Sequence, residues 1–168
     1  MKQLFVFLVF VIALSSCLGN KKQAETSATS YELDNLLAVA DQNVDETLTV
    51  VGYVTHTCKH SGKRCFIVGE SQETSMRVEA QGEIETFSSE LIGSKLAITG
   101  TLKEYQLSED YINEMENEVK QMEQEEGMAD VCAAELSNIS EMRQWMKDHG
   151  KNYYVIYYMD GLKFDVMD

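Results

Sequence analysis

Two histidines and two cysteines lie close together in the chain, as His56, Cys58, His60 and Cys65. If Ser61-Gly62 is a two-residue hairpin loop, Cys58 faces Cys65 across the ribbon. Side chains alternate between the two faces of a strand, so all four residues then share one face. Opposed residues on such a face have Cβ atoms about 5 Å apart. The spacing therefore predicts a compact cluster of thiol and imidazole groups.

Three interpretations of this cluster stay open. The first is a disulfide between Cys58 and Cys65, which an oxidising compartment favours. It overlaps with a thiol-redox role, although the spacing is not Cys-x-x-Cys. The second is a soft-metal site, because thiolates and imidazoles suit tetrahedral zinc or copper(I). The third is structural, with cysteines filling small apolar spaces and with His56 and His60 at the surface.

A basic cluster follows Cys58 in this otherwise acidic chain. Positive neighbours lower the pKa of a thiol, so Cys58 is also a candidate nucleophile. A basic loop with nearby aromatic rings can equally contact an acidic partner or a glycan, because the rings offer stacking surfaces. The residues predicted to bind such a ligand are Tyr53, Lys59, Lys63, Arg64 and Phe66.

The elements that must position these residues are mostly strands. Runs of β-branched and aromatic residues predict four strands. Their ranges are 47–57, 64–69, 75–80 and 95–105. A further segment, 153–166, has Asp160-Gly161 in its middle, a strong signal for a hairpin turn. The apolar spacing of Glu83–Leu91 predicts a short helix between the third and fourth strands.

Three further helices are predicted. Ser30 resembles an N-cap, and leucines at helical spacing follow it to about Gln42. Ser108 can cap a second helix, which stops near Gly127. The third helix starts near Asn138 with a capping box and ends at Gly150. Six glutamates between residues 114 and 126 form a solvated face. The last two helices therefore form an acidic pair.

Three strands, a short helix, a fourth strand and a closing strand are the element order of a five-stranded OB-type barrel. Here the helical pair, at about 108–150, is inserted before the last strand. The chain resembles a group of uncharacterised OB-fold envelope lipoproteins of bacteria in four segments, which are Gly52-Tyr53-Val54, Cys58–Arg64, Phe66-Ile67-Val68-Gly69 and Ile98–Glu104. The resemblance covers about residues 44–105. It implies the fold and an envelope location, and it implies no established activity.

The composition limits the class of partner. The formal net charge is −14, from 28 acidic and 14 basic residues. Proteins that bind nucleic acids carry basic surfaces that release counterions from the phosphate backbone. The charge therefore disfavours nucleic acid, and it also disfavours adsorption to anionic lipid headgroups.

The first residues predict where the protein works. The apolar run Leu4–Leu14 is shorter than the roughly 20 residues that a membrane-spanning helix needs, and it follows a basic start. Leu14-Ser15-Ser16-Cys17 resembles a bacterial lipobox, which implies cleavage before Cys17 and a lipid on its sulfur. We expect a signal peptide at 1–16, a lipidated Cys17 with a flexible tether at 17–29, and one domain at 30–168. The expected location is the bacterial cell envelope, on the outer membrane facing the periplasm.

These features together predict a lipid-anchored, non-enzymatic binding module. Its partner besides the membrane is an envelope protein, a glycan or a small ligand. No recognised catalytic signature is present, so no catalytic residue is predicted. The alternative is a metal-handling protein for zinc or copper, or a thiol-redox protein, that uses His56, Cys58, His60 and Cys65. Apart from such a metal, no cofactor is predicted.

Overall fold

The computed structural model describes residues 28–123 and 128–167. The strands are β1 (Ser30–Glu32), β2 (Thr47–Thr57), β3 (Arg64–Val68), β4 (Ser75–Ala80), β5 (Lys95–Ser108) and β6 (Tyr153–Met167). The helices are α1 (Leu33–Leu37), α2 (Glu109–Met122) and α3 (Ala129–Asp148), with short 3₁₀ turns at Ala40–Gln42 and Ser89–Leu91. The predicted signal peptide, the lipidated Cys17 and the helix stop at Gly127 lie outside the described residues.

The sheet closes into a five-stranded barrel in the order β2-β3-β4-β6-β5. It closes because β2 pairs with β3 through its second half and with β5 through its first half. Neighbouring barrel strands are antiparallel, except that β4 and β6 are parallel. This is the OB-type arrangement. The predicted fold class is confirmed, including the N-terminal helix and the helical pair before the last strand.

The barrel core follows from alternation along the strands. In β4, Met76, Val78 and Ala80 are buried, while the residues between them lie outside. Burying one large aliphatic side chain contributes about 1.5–3 kcal/mol, so this inward row is the main source of stability. Leu33 and Leu36 of α1 are completely buried against the same core. The short α1 is therefore held by its contact with the barrel rather than by its own length.

The two longest strands extend beyond the barrel as a ribbon. β5 and β6 stay paired as far as Ser108 and Tyr153. The Ser108 hydroxyl accepts a hydrogen bond from the Tyr111 amide and caps α2, as predicted. A second apolar core joins the helical pair to the end of the ribbon, and its buried members are Leu107, Ile112, Val119, Cys132, Ile139 and Met146. None of the described helices is long and apolar enough to cross a membrane.

The predicted hairpin at Asp160-Gly161 is wrong, because β6 runs unbroken through both residues. Gly161 is buried, and a Cβ atom there would lie 2.8 Å from Val78 Cγ1. The glycine therefore allows close packing inside the barrel rather than a reversal of the chain. The irregularity next to this glycine is a bulge in β6, because Thr99 pairs with Lys163 and Gly100 with Gly161, which leaves Leu162 as the extra residue.

The predicted helix at Glu83–Leu91 is also wrong, apart from the 3₁₀ turn at its end. Its amide groups bond to other segments instead of forming helical hydrogen bonds. The Glu83 amide donates to the Leu162 carbonyl at 2.8 Å, and the Phe87 amide donates to the Gly62 carbonyl at 2.7 Å. The segment therefore closes one end of the barrel as an extended strap.

Two predicted helix starts are displaced. Ser30 is not an N-cap, because it belongs to β1 and is the parallel partner of Thr49. The third helix begins at Ala129, well before the predicted start at Asn138. Cys132 is buried in the second core, so the apolar face of α3 begins in this earlier stretch.

Candidate functional site

The connection between β2 and β3 differs from the predicted hairpin. His56 is the cross-strand partner of Phe66, and Thr57 is the partner of Cys65, with a register shift one step earlier. Residues 58–63 form the loop, so Cys58 lies in the loop and not opposite Cys65. The predicted shared face of two histidines and two cysteines is therefore wrong. The turn is wider than two residues, and the bulge moves the register by one position.

The two cysteines of this region have opposite surroundings. Cys65 is completely buried, and its desolvation, with the Glu79 carboxylate nearby, raises the pKa of its thiol to about 12. Cys58 is half-buried, and its sulfur accepts a hydrogen bond from the Ser61 hydroxyl at 3.4 Å. This bond, followed by the amides of Ser61 and His60, lowers the pKa of Cys58 to about 7. Both cysteines are free thiols.

The candidate metal ligands are not brought together. Within residues 28–123 and 128–167, no three His, Cys, Asp or Glu side chains are grouped so that they could hold a metal ion. His56 lies on the outside of β2, His60 is exposed in the loop, and Cys65 points into the core. The residues predicted as zinc or copper ligands therefore lie apart from one another.

A cleft of about 460 Å³ opens beside Cys58, between the loop and the strap that precedes β5. The strap is fixed to the loop, because Lys63 Nζ donates to the Glu85 carbonyl at 2.7 Å. Lys59 and His60 line the same cleft. A small molecule in the cleft would meet the Cys58 thiol with basic groups around it.

A row of four side chains crosses the outer face of the barrel. His56 of β2 is the partner of Phe66 of β3, Phe66 is the partner of Arg77 of β4, and Arg77 is the partner of Tyr158 of β6. We call these four residues the outer row. Adjacent strands lie about 4.8 Å apart, so the row is about 14 Å long. It is a continuous surface because each member occupies the outward position of its strand.

The outer row combines three aromatic rings with one cation. The imidazole and phenyl rings at one end have centroids 6.0 Å apart. At the other end, the Arg77 guanidinium lies 4.9 Å from the centroid of the Tyr158 ring, a cation–π distance. Beside the row, Glu79 Oε1 lies 2.9 Å from Arg64 Nε and 3.0 Å from Arg77 Nε. The surface therefore offers ring faces, hydrogen-bond donors and one acceptor within a short span.

The outer face continues toward the helical pair. Lys103 of β5 is the partner of Tyr158, and the next outward pair is Tyr105 with Ile156. Tyr105 is 54% exposed and Ile156 is 36% exposed, so this pair extends the outer face with apolar surface. The following outward residue, Leu107, is buried in the second core. The helical pair therefore marks one end of the surface.

The structure brings together only part of the predicted ligand surface. Phe66 belongs to the outer row, and Arg64 lies beside it through Glu79. Lys59 and Lys63 lie at the loop next to the cleft, and Lys63 is already bonded to the strap. The predicted members are thus divided between the row and the loop.

Tyr53 belongs to a separate polar cluster on β2. Its hydroxyl donates to Glu70 Oε1 at 3.1 Å, and Lys95 Nζ lies 5.2 Å from the centre of its ring. Lys95 Nζ also lies 2.8 Å from Glu70 Oε1. The hydroxyl and the ring of Tyr53 therefore both have partners within the protein, and Tyr53 is not part of the outer row.

Sequence reasoning missed Arg77 and Tyr158 as members of the site. Because side chains alternate along β4, the apolar residues on either side of Arg77 point inward and Arg77 points outward. This pattern could have identified Arg77 as a surface residue. Tyr158 is one of four tyrosines of the last strand, and nothing in the local sequence distinguishes it from the others. The parallel pairing of β4 with β6 brings the two together, and this pairing cannot be read from local spacing.

No family model matches the chain, and no curated protein matches it. A solved structure of a protein assigned as an aspartyl-tRNA synthetase from Leishmania major Friedlin is similar in part, with 19% sequence identity and a TM-score of 0.34. The match covers 51% of this chain and 18% of that chain. A similarity of this size carries no conclusion about function.

Proposed function

We propose that this protein is a non-enzymatic binding module that holds a short glycan across the outer row. The observation that carries the proposal is the unbroken series His56, Phe66, Arg77 and Tyr158 across four strands. Binding sites combine apolar surface with a few placed polar groups, and the outer row has both.

The chemistry of the row suits sugar rings. A sugar ring has an apolar face that packs on an aromatic ring and hydroxyl groups that need donors and acceptors. Phe66 and Tyr158 are half-buried and supply ring surface, while Arg77 and Glu79 supply the polar partners. The net charge of −14 would instead repel the phosphate backbone of a nucleic acid, so it disfavours that class of ligand.

Titration with chitotriose, a neutral oligosaccharide, followed by ¹H–¹⁵N NMR, tests the proposal. We expect the amide shifts to concentrate on β3, β4 and the facing part of β6. Phe66→Ala and Tyr158→Ala should each weaken binding several-fold, because each removes apolar ring surface that the sugar would cover, at about 25 cal/mol per Å². The control is Tyr111→Ala, which removes an exposed tyrosine from α2. Shifts elsewhere on the protein, or unchanged affinity in Phe66→Ala, would refute this role of the outer row.

We also propose that the module is tethered to the bacterial envelope through a lipid on Cys17. The lipobox resemblance at Leu14–Cys17 supports this proposal. Cys17→Ala should leave the protein unprocessed or release it from the membrane fraction, which fractionation and intact mass would detect. A processed form of Cys17→Ala that stays with the membrane would contradict the lipid anchor.

A second candidate function is thiol chemistry at Cys58. The lowered pKa of its thiol and the cleft beside it favour this alternative. It would use the loop and not the outer row. Substitution of Cys58 by Ser therefore separates the two functions, because glycan binding should persist without the thiol.

A further inference from the structure

Arg77 of the outer row and Arg64 beside the row share a single carboxylate oxygen. Arg64 Nε and Arg77 Nε both approach Glu79 Oε1, at 2.9 and 3.0 Å. Only the Arg64 contact has hydrogen-bond geometry. Among the described residues, neither guanidinium makes a side-chain hydrogen bond through its terminal amino groups. One carboxylate thus faces two cations, and the outer ends of both guanidinium groups remain available.

These ends are accessible from solvent. The Arg64 side chain is 46% exposed and the Arg77 side chain is 35% exposed. Arg77 is held from two sides, since its guanidinium lies over the Tyr158 ring and its Nε lies 3.0 Å from Glu79 Oε1. A fixed planar guanidinium loses little freedom when it binds a carboxylate in the paired, bidentate geometry.

We propose that the outer row contains a subsite for the carboxylate of an acidic sugar, bound by the terminal amino groups of Arg77 with Arg64 as second cation. This inference rests on the proposed glycan-binding function and adds the chemical class of the ligand. The sugar ring packs on Phe66 or Tyr158, and its carboxylate meets Arg77 between them.

The charge of the surroundings sharpens the expectation. The whole chain carries −14, so it repels anions at long range. Glu79 and its cross-strand partner Asp160 also lie beside the subsite and exclude carboxylates from that side. A preference for an acidic sugar would therefore come from local contacts with the arginines and not from the general field. The site fits isolated carboxylates rather than a densely charged polymer.

Calorimetric titration of the full-length protein with two probes, trigalacturonate and its methyl ester, tests this inference. The ester keeps the rings and hydroxyl groups but removes the charges. We expect the acid to bind at least about tenfold more tightly than the ester, since hydrogen bonds to charged groups are the stronger ones. Arg77→Gln should abolish this preference, and because Arg77 belongs to the outer row it should also weaken binding of the ester, though less than binding of the acid.

Two further variants separate charge from geometry. Arg77→Lys keeps a cation over Tyr158 but loses the paired amino groups, so it should keep only part of the preference. Arg143→Gln is the matched control, because Arg143 pairs with Glu116 on the helical pair, away from the outer row. It removes the same charge and should leave the preference intact. NMR spectra of each variant verify that the barrel is folded.

The outcomes distinguish this inference from the function it rests on. Equal affinity for acid and ester, or a preference that survives Arg77→Gln, overturns the carboxylate subsite. Absence of binding by both galacturonate probes, together with binding of chitotriose, overturns it while the glycan-binding module stands. Absence of binding by all three oligosaccharides overturns both.

Discussion

At the scale of single residues, Cys58 and Cys65 show how position decides the reactivity of a thiol. Cys65 lies in the barrel core without access to solvent. Cys58 lies in the loop, where the Ser61 hydroxyl and nearby amides stabilise a negative sulfur. Thiolates are the reacting form of cysteine, so the loop thiol should be reactive and the core thiol inert.

Alkylation with iodoacetamide tests this contrast. Because the pKa of Cys58 is about 7, its alkylation rate should rise with pH and reach half of its plateau near pH 7. Cys65 should stay unmodified in the folded protein, because it is buried and its pKa is raised. Peptide mass spectrometry at several times and pH values gives both rates.

Ser61→Ala is the informative variant, since it removes the strongest hydrogen bond to the Cys58 sulfur. It should shift the rate profile of Cys58 to higher pH and raise the plateau modestly, because a more basic thiolate is the stronger nucleophile. In urea, Cys65 and Cys132 should react as fast as Cys58. Equal rates for Cys58 and Cys65 in the folded protein would contradict the assigned environments.

The residues of the candidate site were only partly predictable. Local spacing identifies Phe66 and Arg64, because both lie near the basic loop in the sequence. Arg77 and Tyr158 are distant in the chain and meet only through strand pairing. The predicted register, with Cys58 opposite Cys65, is wrong for a related reason, since one bulge in β2 changes the cross-strand partner of every residue after it.

At the scale of elements, one carboxylate fixes α1 to the β3–β4 loop. Asp34 accepts hydrogen bonds from the Ser71 amide at 3.1 Å, from the Ser71 hydroxyl at 2.9 Å and from the Thr74 hydroxyl. The Thr74 bond, followed by those from Ser71, lowers the pKa of Asp34 below its usual value. A short helix and a loop are thereby held together at the surface of the barrel.

Asp34→Asn should lower the melting temperature at neutral pH. A carboxyl with a lowered folded-state pKa stabilises the protein above its unfolded pKa and loses that contribution as pH falls through the folded pKa. The difference between wild type and Asp34→Asn should therefore be largest near pH 7 and shrink below about pH 4. Thermal unfolding followed by circular dichroism across this range measures it.

The control is Asp41→Asn, which removes an exposed carboxylate from the following 3₁₀ turn. Its melting temperature should differ little from wild type at any pH. A pH-independent loss in Asp34→Asn would mean that packing, and not the charge of Asp34, holds the loop.

Elements were predicted well where the pattern is local. The four strands with alternating apolar residues and the Ser108 cap follow directly from residue types. The turn predicted at Asp160-Gly161 is wrong because a glycine also permits close packing. Gly161 lies against Val78 inside the barrel. Glu83–Leu91 has helical apolar spacing, yet its amides bond to neighbouring segments. In both segments, contacts with distant parts of the chain override the local sequence preference.

At the scale of the whole molecule, the described residues form two cores, and the β5–β6 ribbon connects them. The barrel core and the core of the helical pair share no buried residue. Ser108 and Tyr153, the residues that flank the helical pair, are cross-strand partners. The chain thus leaves and re-enters the barrel at one place, so the barrel does not depend on the helices for its closure.

Removal of residues 109–152, with Asn-Gly joining Ser108 to Tyr153, should leave a folded barrel. Asn-Gly suits the two-residue turn that such a ribbon needs. We expect cooperative thermal unfolding and nearly unchanged NMR shifts for β2, β3 and β4. Leu107→Ser can accompany the deletion, because this residue loses its apolar cover. A collapsed state without dispersed NMR signals would show that the helical pair is required for the barrel.

The smallest strand has a consequence for aggregation. Residues Thr49–Val51 of β2 pair with β5 on one side and with β1 on the other. Without β1, this stretch of β2 would present unpaired amide and carbonyl groups, the template on which a strand from another molecule can add. Three residues before α1 therefore protect the barrel from edge-to-edge association. A recombinant protein that begins after Glu32 would keep the whole barrel and still gain an adhesive edge, so its solubility should fall as its concentration rises.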